Sequence, residues 1–177
     1  AASDVYKRQD TDYAQSAAVF SVQDEEITYA QNIYQRMYPA STTKILTAYL
    51  ALKYGNLDDV LTVSSDAVNT LMSGSSICGL KPGDQLTLDQ ALYGLMLCSG
   101  NDAANVIAEY ISGSTDKFAE LMNKEAQALG ATQSHFVNPH GLPDDNHYTT
   151  AYDLYLIFNA AIKDCLLYTS PSPRDLS

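Results

Sequence analysis

Ser41 and Lys44 stand three residues apart at the start of a run that is apolar on nearly every face, residues 41–54. On a helix, this spacing places the two side chains one turn apart on the same face. A serine hydroxyl is a poor nucleophile until a base takes its proton, and a lysine can be that base only if its pKa falls well below about 10.4. Burial beside Ile45 and Leu46 disfavours the charged ammonium and lowers the pKa. The pattern indicates a serine nucleophile with a lysine base.

The same Ser-x-x-Lys spacing occurs a second time, at Ser114 and Lys117, in a different setting. Thr115, Asp116 and Glu120 make these surroundings polar, so this lysine is expected to keep its proton. Ser114 is better explained as the cap of a helix. Spacing alone is therefore weak evidence, because most isolated Ser-x-x-Lys sequences have only a structural role.

A second candidate group is Ser99-Gly100-Asn101, which interrupts a helical pattern. Gly100 would permit a tight break that lets the Ser99 hydroxyl and the Asn101 amide project into a cleft. A second hydroxyl can relay a proton to a leaving amine, and an amide can both donate to and accept from a peptide group. These residue types are also common in ordinary turns between helices, and in isolation the turn would be the better explanation.

The elements that would position these residues are a hairpin followed by helices. Residues 16–22 are rich in strand formers, and residues 27–30 can return as a second strand after a polar turn. Thr87 and Gln90 fit a capping box, whereas the segment 60–83 is ambiguous. Helices are expected at 41–54, 87–98, 102–111, 114–130 and 150–163, with each end placed to within a few residues.

Composition restricts the class of protein. The chain has 177 residues, 46% hydrophobic and 18% charged, which suits one globular domain, and its net charge of −11 argues against a nucleic-acid partner. The most apolar run, 45–52, is too short to span a bilayer. The cysteines Cys78, Cys98 and Cys165 form neither a disulfide framework nor a zinc pattern, and Cys98 is expected to be buried and unpaired.

The two ends differ from the rest of the chain. Residues 1–9 carry a basic pair in an acidic chain, and residues 168–177 are Ser/Pro-rich without periodicity. We expect a non-native head at 1–9, one partial domain at 10–165 and a non-native tail at 166–177. Native disordered termini are the alternative. No signal peptide is visible in this chain.

Taken together, these motifs resemble those of one family of bacterial cell-wall enzymes. The segments that carry the resemblance are Tyr38–Lys44 (YPASTTK), Ser99–Ala104 (SGNDAA), Phe136–Leu142 (FVNPHGL) and His147–Leu154 (HYTTAYDL). They are similar to the low-molecular-mass penicillin-binding serine D-alanyl-D-alanine carboxypeptidases, which share the Ser-x-x-Lys, Ser-x-Asn and Lys-Thr-Gly arrangement with class A β-lactamases. The resemblance covers roughly residues 16–163.

The resemblance implies a fold and a set of roles. The fold would be the α/β (α+β) β-lactamase/DD-peptidase-like fold, here mainly its helical region with the N-terminal hairpin. Ser41 would attack the penultimate D-Ala carbonyl of a peptidoglycan stem peptide, Lys44 would take its proton, Ser99 would pass the proton to the departing D-Ala, and Asn101 would hold the substrate amide. β-Lactams would be covalent inhibitors. No cofactor or metal is implied, and the family implies an extracytoplasmic location with any membrane anchor outside this chain.

The sequence departs from the family at one motif. No Lys-Thr-Gly or Lys-Ser-Gly follows Asn101. In the family that triad lies on a later strand and binds the terminal carboxylate of the substrate. We therefore expect a C-terminally truncated domain without its later sheet strands, and an inactive fragment.

Other functions are kept as alternatives. His135, His140 and His147, with two nearby aspartates, could suggest a metallohydrolase, but they lie in a Pro/Gly-rich loop without a His-Glu-x-x-His helix. Cys98 could be a nucleophile, although a buried helix cysteine is the simpler interpretation. A Gly-x-Ser-x-Gly elbow is missing, which argues against a Ser–His–Asp hydrolase. A class A-like β-lactamase and a non-catalytic penicillin- or peptidoglycan-recognition module remain as competing functions.

Overall fold

The structure is a computed structural model that describes residues 14–21, 24 and 26–169, with side chains described as far as residue 163. The chain forms a hairpin, a small second sheet and six helices within these ranges. The elements are β1 (Ala17–Ser21), β2 (Glu26–Gln31), α1 (Thr43–Tyr54), β3 (Val60–Thr62), α2 (Ser65–Asn69), β4 (Gln85–Thr87), α3 (Leu88–Leu97), α4 (Asn101–Ser112), α5 (Thr115–Ala128) and α6 (Ala151–Thr169).

Helix α1 lies at the centre of the domain, as its nearly all-apolar surface predicts. It contacts α3, α4, α5 and α6. Leu46 and Leu50 pack on one side into a core with Phe118 and Ile157, and Ala51 packs on the other side into a core with residues of β3, α3 and α4. Because both faces of α1 are buried, the first turn of this helix is held between the two cores.

Both two-stranded sheets are antiparallel. In the predicted hairpin, β1 pairs with β2 around an irregularity between Val19 and Phe20, and Phe20 stacks on Tyr155 of α6 at 3.9 Å between ring centroids. The segment that the sequence left ambiguous supplies β3, which pairs with β4. The Phe20–Tyr155 contact anchors the hairpin to the helical layer.

The helix caps follow the sequence prediction. Thr87 and Gln90 form the reciprocal capping box at the start of α3. The Ser114 side chain accepts a hydrogen bond from the Lys117 backbone N–H at the start of α5, and the Lys117 side chain is exposed. Ser114 is therefore a helix cap, as expected.

The last helix is longer than predicted. α6 continues to Thr169, past the expected end near residue 163 and across the domain boundary placed at 165. Most of the proposed tail, and all of the proposed head, lie outside the described residues, so their non-native origin stays a prediction. No helix in the described part of the chain has the length and apolarity that a bilayer span requires.

Cys98 is not buried, as the sequence predicted it to be. Its side chain is exposed, although it is unpaired as expected. Met96 and Leu97 in the last turn of α3 are also more than half exposed, at 53% and 78%, whereas Leu95 in the same turn is buried. An apolar run predicts that a helix packs against the core, but it does not show which residues of that helix are buried.

A loop between α5 and α6 packs against the first turn of α1. Thr47 of α1 donates a hydrogen bond to the Pro139 carbonyl at 2.6 Å. Gly141 has a φ of +88°, and a Cβ at this position would overlap the Ala40 carbonyl oxygen. Ala40 itself has a φ of +49° just before α1. The missing side chain at Gly141 thus lets the loop touch the backbone that leads into the helix.

His147 makes a further close contact between this loop and α1. Its Nδ1 accepts the Val137 backbone N–H at 3.1 Å, so the neutral ring carries its proton on Nε2. Nε2 lies 2.8 Å from the Thr43 hydroxyl oxygen and donates to it. Burial lowers the pKa of His147 to about 4, which keeps the ring neutral at pH 7.

Gly141→Ala is expected to destabilise the complete protein by about 3 kcal/mol, because it adds both backbone strain and an overlap with Ala40. Gly113→Ala is the matched control, since Gly113 also has a positive φ of +82° but no atom lies within 4 Å of the added methyl. The control should cost about 1 kcal/mol, from strain alone. Urea denaturation measures both, and equal losses would show that the close approach to Ala40 has no energetic weight.

Acid is expected to destabilise the protein through its buried histidines. Burial also lowers the pKa of His140 to about 4, so between about pH 6.5 and pH 4 the unfolded chain binds protons that the folded chain excludes. The free energy of unfolding is therefore highest above about pH 6.5 and decreases as the pH falls below that value. His147→Gln should be less stable at pH 7 but should lose about 1–2 kcal/mol less than the wild type between pH 7 and pH 5.

The control for this pH series is His135→Gln, because His135 is exposed. Urea midpoints at the two pH values give the comparison. If His135→Gln flattened the pH dependence and His147→Gln did not, protonation of His147 would not be the cause of the loss of stability in acid.

Candidate active site

The Ser41 hydroxyl lies at the mouth of the candidate site. Ser41 sits in a single 3₁₀ turn, Ala40–Thr42, that leads directly into α1, and its side chain is exposed. Lys44 occupies the next turn, and its Nζ lies 3.4 Å from the Ser41 Oγ. The predicted pair is therefore brought together, with the hydroxyl open to solvent and the amine beneath it.

Lys44 is buried, with only 3% of its surface exposed. Its Nζ donates a hydrogen bond to the His140 carbonyl oxygen at 2.9 Å. Within the described residues, no carboxylate forms an ion pair with this amine. Burial therefore acts without a compensating charge and lowers the pKa of Lys44. A neutral Lys44 can donate to His140 while its lone pair accepts the Ser41 proton.

Lys117, in the second Ser-x-x-Lys sequence, lacks this environment. Its side chain is exposed, and its backbone N–H binds the Ser114 hydroxyl as part of a cap. The same spacing thus gives a buried amine beside a serine in one helix and a solvent-exposed lysine side chain in the other.

Ser99 reaches the site from the corner between α3 and α4. Its hydroxyl donates to the Ser41 Oγ at 3.3 Å. Ser99 has a φ of +51°, a left-handed conformation that is uncommon for a residue other than glycine and is typical of strained functional positions. The backbone that follows Ser99 is fixed, because Gly100 N–H donates to the Gly94 carbonyl and Asn101 N–H donates to the Ser76 carbonyl.

Gly100 has a different role from the one the sequence suggested. Its φ is −67°, which any residue adopts, so the left-handed turn belongs to Ser99. A Cβ on Gly100 would instead overlap the Cys78 sulfur. Gly100 is small so that the loop carrying Cys78 can pack against the Ser99 corner.

Asn101 begins α4 and is 4% exposed. Among the described residues, no hydrogen bond joins its side-chain amide to Ser41, Lys44 or Ser99. The structure therefore brings three of the four predicted side chains into contact and places the fourth two residues from Ser99. The catalytic and binding roles of all four stay predictions.

Asp102 supports this corner, and the sequence did not single it out for a role. Its carboxylate is fully buried and accepts the backbone N–H groups of Cys78, Gly79 and Leu80 at 2.9–3.0 Å. These bonds compensate for its burial and tie the loop to the start of α4. Its position directly after Ser-Gly-Asn was visible in the sequence, but its partners lie more than twenty residues away.

Each of the three histidines makes its own local hydrogen bonds. His135 Nδ1 lies 2.6 Å from the Asn146 carbonyl, His140 Nδ1 accepts the Leu142 N–H, and His147 uses both ring nitrogens as described above. No group of three potential metal ligands occurs anywhere in the described ranges. The contacts explain these histidines as local hydrogen-bonding residues of the loop.

An apolar groove of about 490 Å³ lies apart from these polar groups, and no candidate catalytic residue lines it. It runs between three helices and is bordered by Ile45, Leu92, Met96, Phe158 and Ile162. Such a continuous apolar surface is typical of a face that another segment or molecule covers.

Comparison with known proteins identifies the family. The family model for D-alanyl-D-alanine carboxypeptidase matches residues 4–172. The D-alanyl-D-alanine carboxypeptidase DacF of Bacillus subtilis is 37% identical over 154 residues, and DacA of Escherichia coli K12 is 38% identical over 159 residues. Each match covers 85% of this chain but only 39% and 40% of the relative. The chain thus spans about two fifths of the length of these relatives.

Solved structures agree with this result. Penicillin-binding protein 5 of Haemophilus influenzae superposes with a TM-score of 0.80 at 36% identity, over 85% of this chain and 45% of that one. A D-alanyl-D-alanine carboxypeptidase of Mycobacterium tuberculosis gives a TM-score of 0.79 at 32% identity, over 90% and 61%. The predicted DD-peptidase fold is confirmed, and the chain belongs to the D-alanyl-D-alanine carboxypeptidase family.

Proposed function

We propose that this chain is the part of a serine D-alanyl-D-alanine carboxypeptidase that carries its nucleophile, and that the complete protein removes the terminal D-Ala of peptidoglycan stem peptides. One observation carries the proposal. The exposed Ser41 hydroxyl lies 3.4 Å from a buried amine without a carboxylate partner and 3.3 Å from a second serine hydroxyl. A nucleophile, a base and a proton relay in contact are the requirements of acyl transfer.

The first step is attack by Ser41. Lys44 takes the hydroxyl proton as the Ser41 Oγ bonds to the carbonyl carbon of the penultimate D-Ala, and the carbonyl oxygen becomes an oxyanion. The Ser41 backbone N–H lies at the start of a helix and donates to this oxygen as one half of an oxyanion hole. The hydrogen bond to the His140 carbonyl orients the Lys44 amine, so that its lone pair faces Ser41.

The second step releases the terminal D-Ala. The Ser99 hydroxyl relays the proton from Lys44 to the departing nitrogen, the C–N bond breaks, and an ester remains on Ser41. Asn101 holds the substrate amide during this step. Water then attacks the ester, giving the shortened peptide and restoring the Ser41 hydroxyl.

The location of the substrate indicates where the complete protein works. Peptidoglycan stem peptides lie outside the cytoplasmic membrane, so the protein acts in the periplasm or on the outer face of that membrane.

β-Lactams acylate Ser41 because they imitate the D-Ala-D-Ala end of the peptide. Class A-like β-lactamase activity is distinguished by turnover, because this proposal requires a long-lived penicillin ester and release of D-Ala from peptides.

A fluorescent penicillin should label Ser41 of the complete protein. Ser41→Ala should abolish the label, because it removes the oxygen that forms the ester. Ser114→Ala is the matched control in the second Ser-x-x-Lys sequence and should leave labelling largely intact, because Ser114 only caps α5. Gel fluorescence and peptide mapping give the readout, and an adduct on Ser114 would reverse the assignment of the nucleophile.

The 177-residue chain is expected to aggregate and to release no D-Ala, whereas a chain extended by its downstream coding sequence should fold and turn over substrate. The apolar groove beside α3 and α6 exposes surface whose burial contributes about 25 cal/mol per Å², and the carboxylate-binding Lys-Thr-Gly motif is not in the shorter chain.

Expression of both lengths, followed by thermal melting and a D-Ala release assay, makes this comparison. Ser41→Ala in the longer chain is the control for background release. A soluble 177-residue chain that melts cooperatively and releases D-Ala at the rate of the longer chain would show that the downstream region is dispensable.

A further inference from the structure

Two cysteines lie together beside the Ser99 corner. Cys98 directly precedes Ser99 at the end of α3, and Cys78 lies in the loop between α2 and β4, twenty residues earlier. Both thiols are free, and the Cys78 sulfur lies against Gly94 and Gly100, which are four residues before and two residues after Cys98. Neither thiol takes part in the proposed reaction, so their proximity calls for a separate explanation.

The position of the Cys78 sulfur is fixed by its surroundings. It packs against the backbone of Gly94 and Gly100, where a Cβ on Gly94 would approach it to 2.8 Å and one on Gly100 would overlap it. Asp102 holds the Cys78 backbone N–H at 2.9 Å. The Cys98 backbone N–H donates to the Gly94 carbonyl, so Cys98 belongs to the helical turn that the Cys78 sulfur contacts.

The two thiols differ in their access to solvent. Cys98 is exposed and Cys78 is only half-buried, so an external reagent reaches Cys98 first. Burial, followed by the nearby Asp102 carboxylate, raises the pKa of the Cys78 thiol to about 12. Cys78 is therefore a poor first nucleophile, and Cys98 opens any exchange with an external disulfide.

We propose that Cys78 and Cys98 form a reversible disulfide that links the loop between α2 and β4 to the residue before Ser99. The oxidant is a low-molecular-mass disulfide. The Cys98 thiolate attacks one sulfur of the oxidant, which expels the first thiolate and leaves a mixed disulfide on Cys98. Cys78 loses its proton and attacks the Cys98 sulfur, which expels the second thiolate. Two protein thiols are oxidised, and one external disulfide is reduced to two thiols.

The cross-link would reinforce contacts that already hold the corner. Hydrogen bonds from Asn101 to Ser76, and from the loop to Asp102, join the same two segments without a covalent bond. A disulfide closing the segment 78–98 restricts the unfolded chain, so the oxidised protein should melt at a higher temperature than the reduced protein, by roughly 5 °C.

The test incubates the reduced complete protein with oxidised glutathione, blocks remaining thiols with an alkylating reagent and maps peptides without reductant. We expect a peptide pair joined through Cys78 and Cys98, and its disappearance together with the gain in Tm after dithiothreitol. Cys98→Ser should give neither the link nor the gain. Cys165→Ser is the matched control, because it removes a cysteine outside the pair, and it should keep both.

Three outcomes would overturn the proposal: alkylation of both cysteines after oxidation, a glutathione adduct that persists on Cys98, or a link from Cys98 to Cys165 or to a second molecule. The peptide map of the wild-type protein decides among these outcomes even if a variant fails to fold. None of them depends on carboxypeptidase activity, so failure here leaves the proposed function untouched.

Discussion

The burial of the Lys44 amine without an opposing charge is the constraint on which the rest of the site depends. An ammonium in this position would lose its hydration and gain only neutral oxygens, from Ser41 and from the His140 carbonyl. The protein resolves this conflict by favouring the neutral amine, whose pKa burial lowers. A carboxylate beside Lys44 would have stabilised the ammonium and removed its capacity to act as a base.

Each surrounding segment serves to maintain that burial while leaving Ser41 open. The loop before α6 covers Lys44 from one side, and it can approach because Gly141 lacks a side chain and because His147 binds Thr43. The corner before α4 approaches Ser41 from the other side, and there Asp102 gathers three backbone N–H groups of a distant loop. Both supports place polar groups in the interior, where each finds a hydrogen-bond partner.

Local chemistry made much of this predictable from the sequence. The caps at Thr87 and Ser114 followed from residue types a few positions apart, and the apolar neighbours of Lys44 distinguished it from Lys117. Contacts between distant segments were not predictable in the same way. The left-handed turn at Ser99 instead of Gly100, the partners of Asp102 and the exposed position of Cys98 all depend on how α3, α4 and the loop before β4 pack together.

The acidity of Lys44 is the most direct test of this account. Nuclear magnetic resonance of the complete protein, with isotope-labelled lysine side chains and a Lys44→Arg sample to assign the signal, would follow its titration. The account predicts a pKa below the ordinary lysine value of about 10.4, because burial opposes the charge and no carboxylate of the described residues offsets it. A Lys44 pKa at or above that value would mean that the site holds an ammonium, and Lys44 could not be the base that activates Ser41.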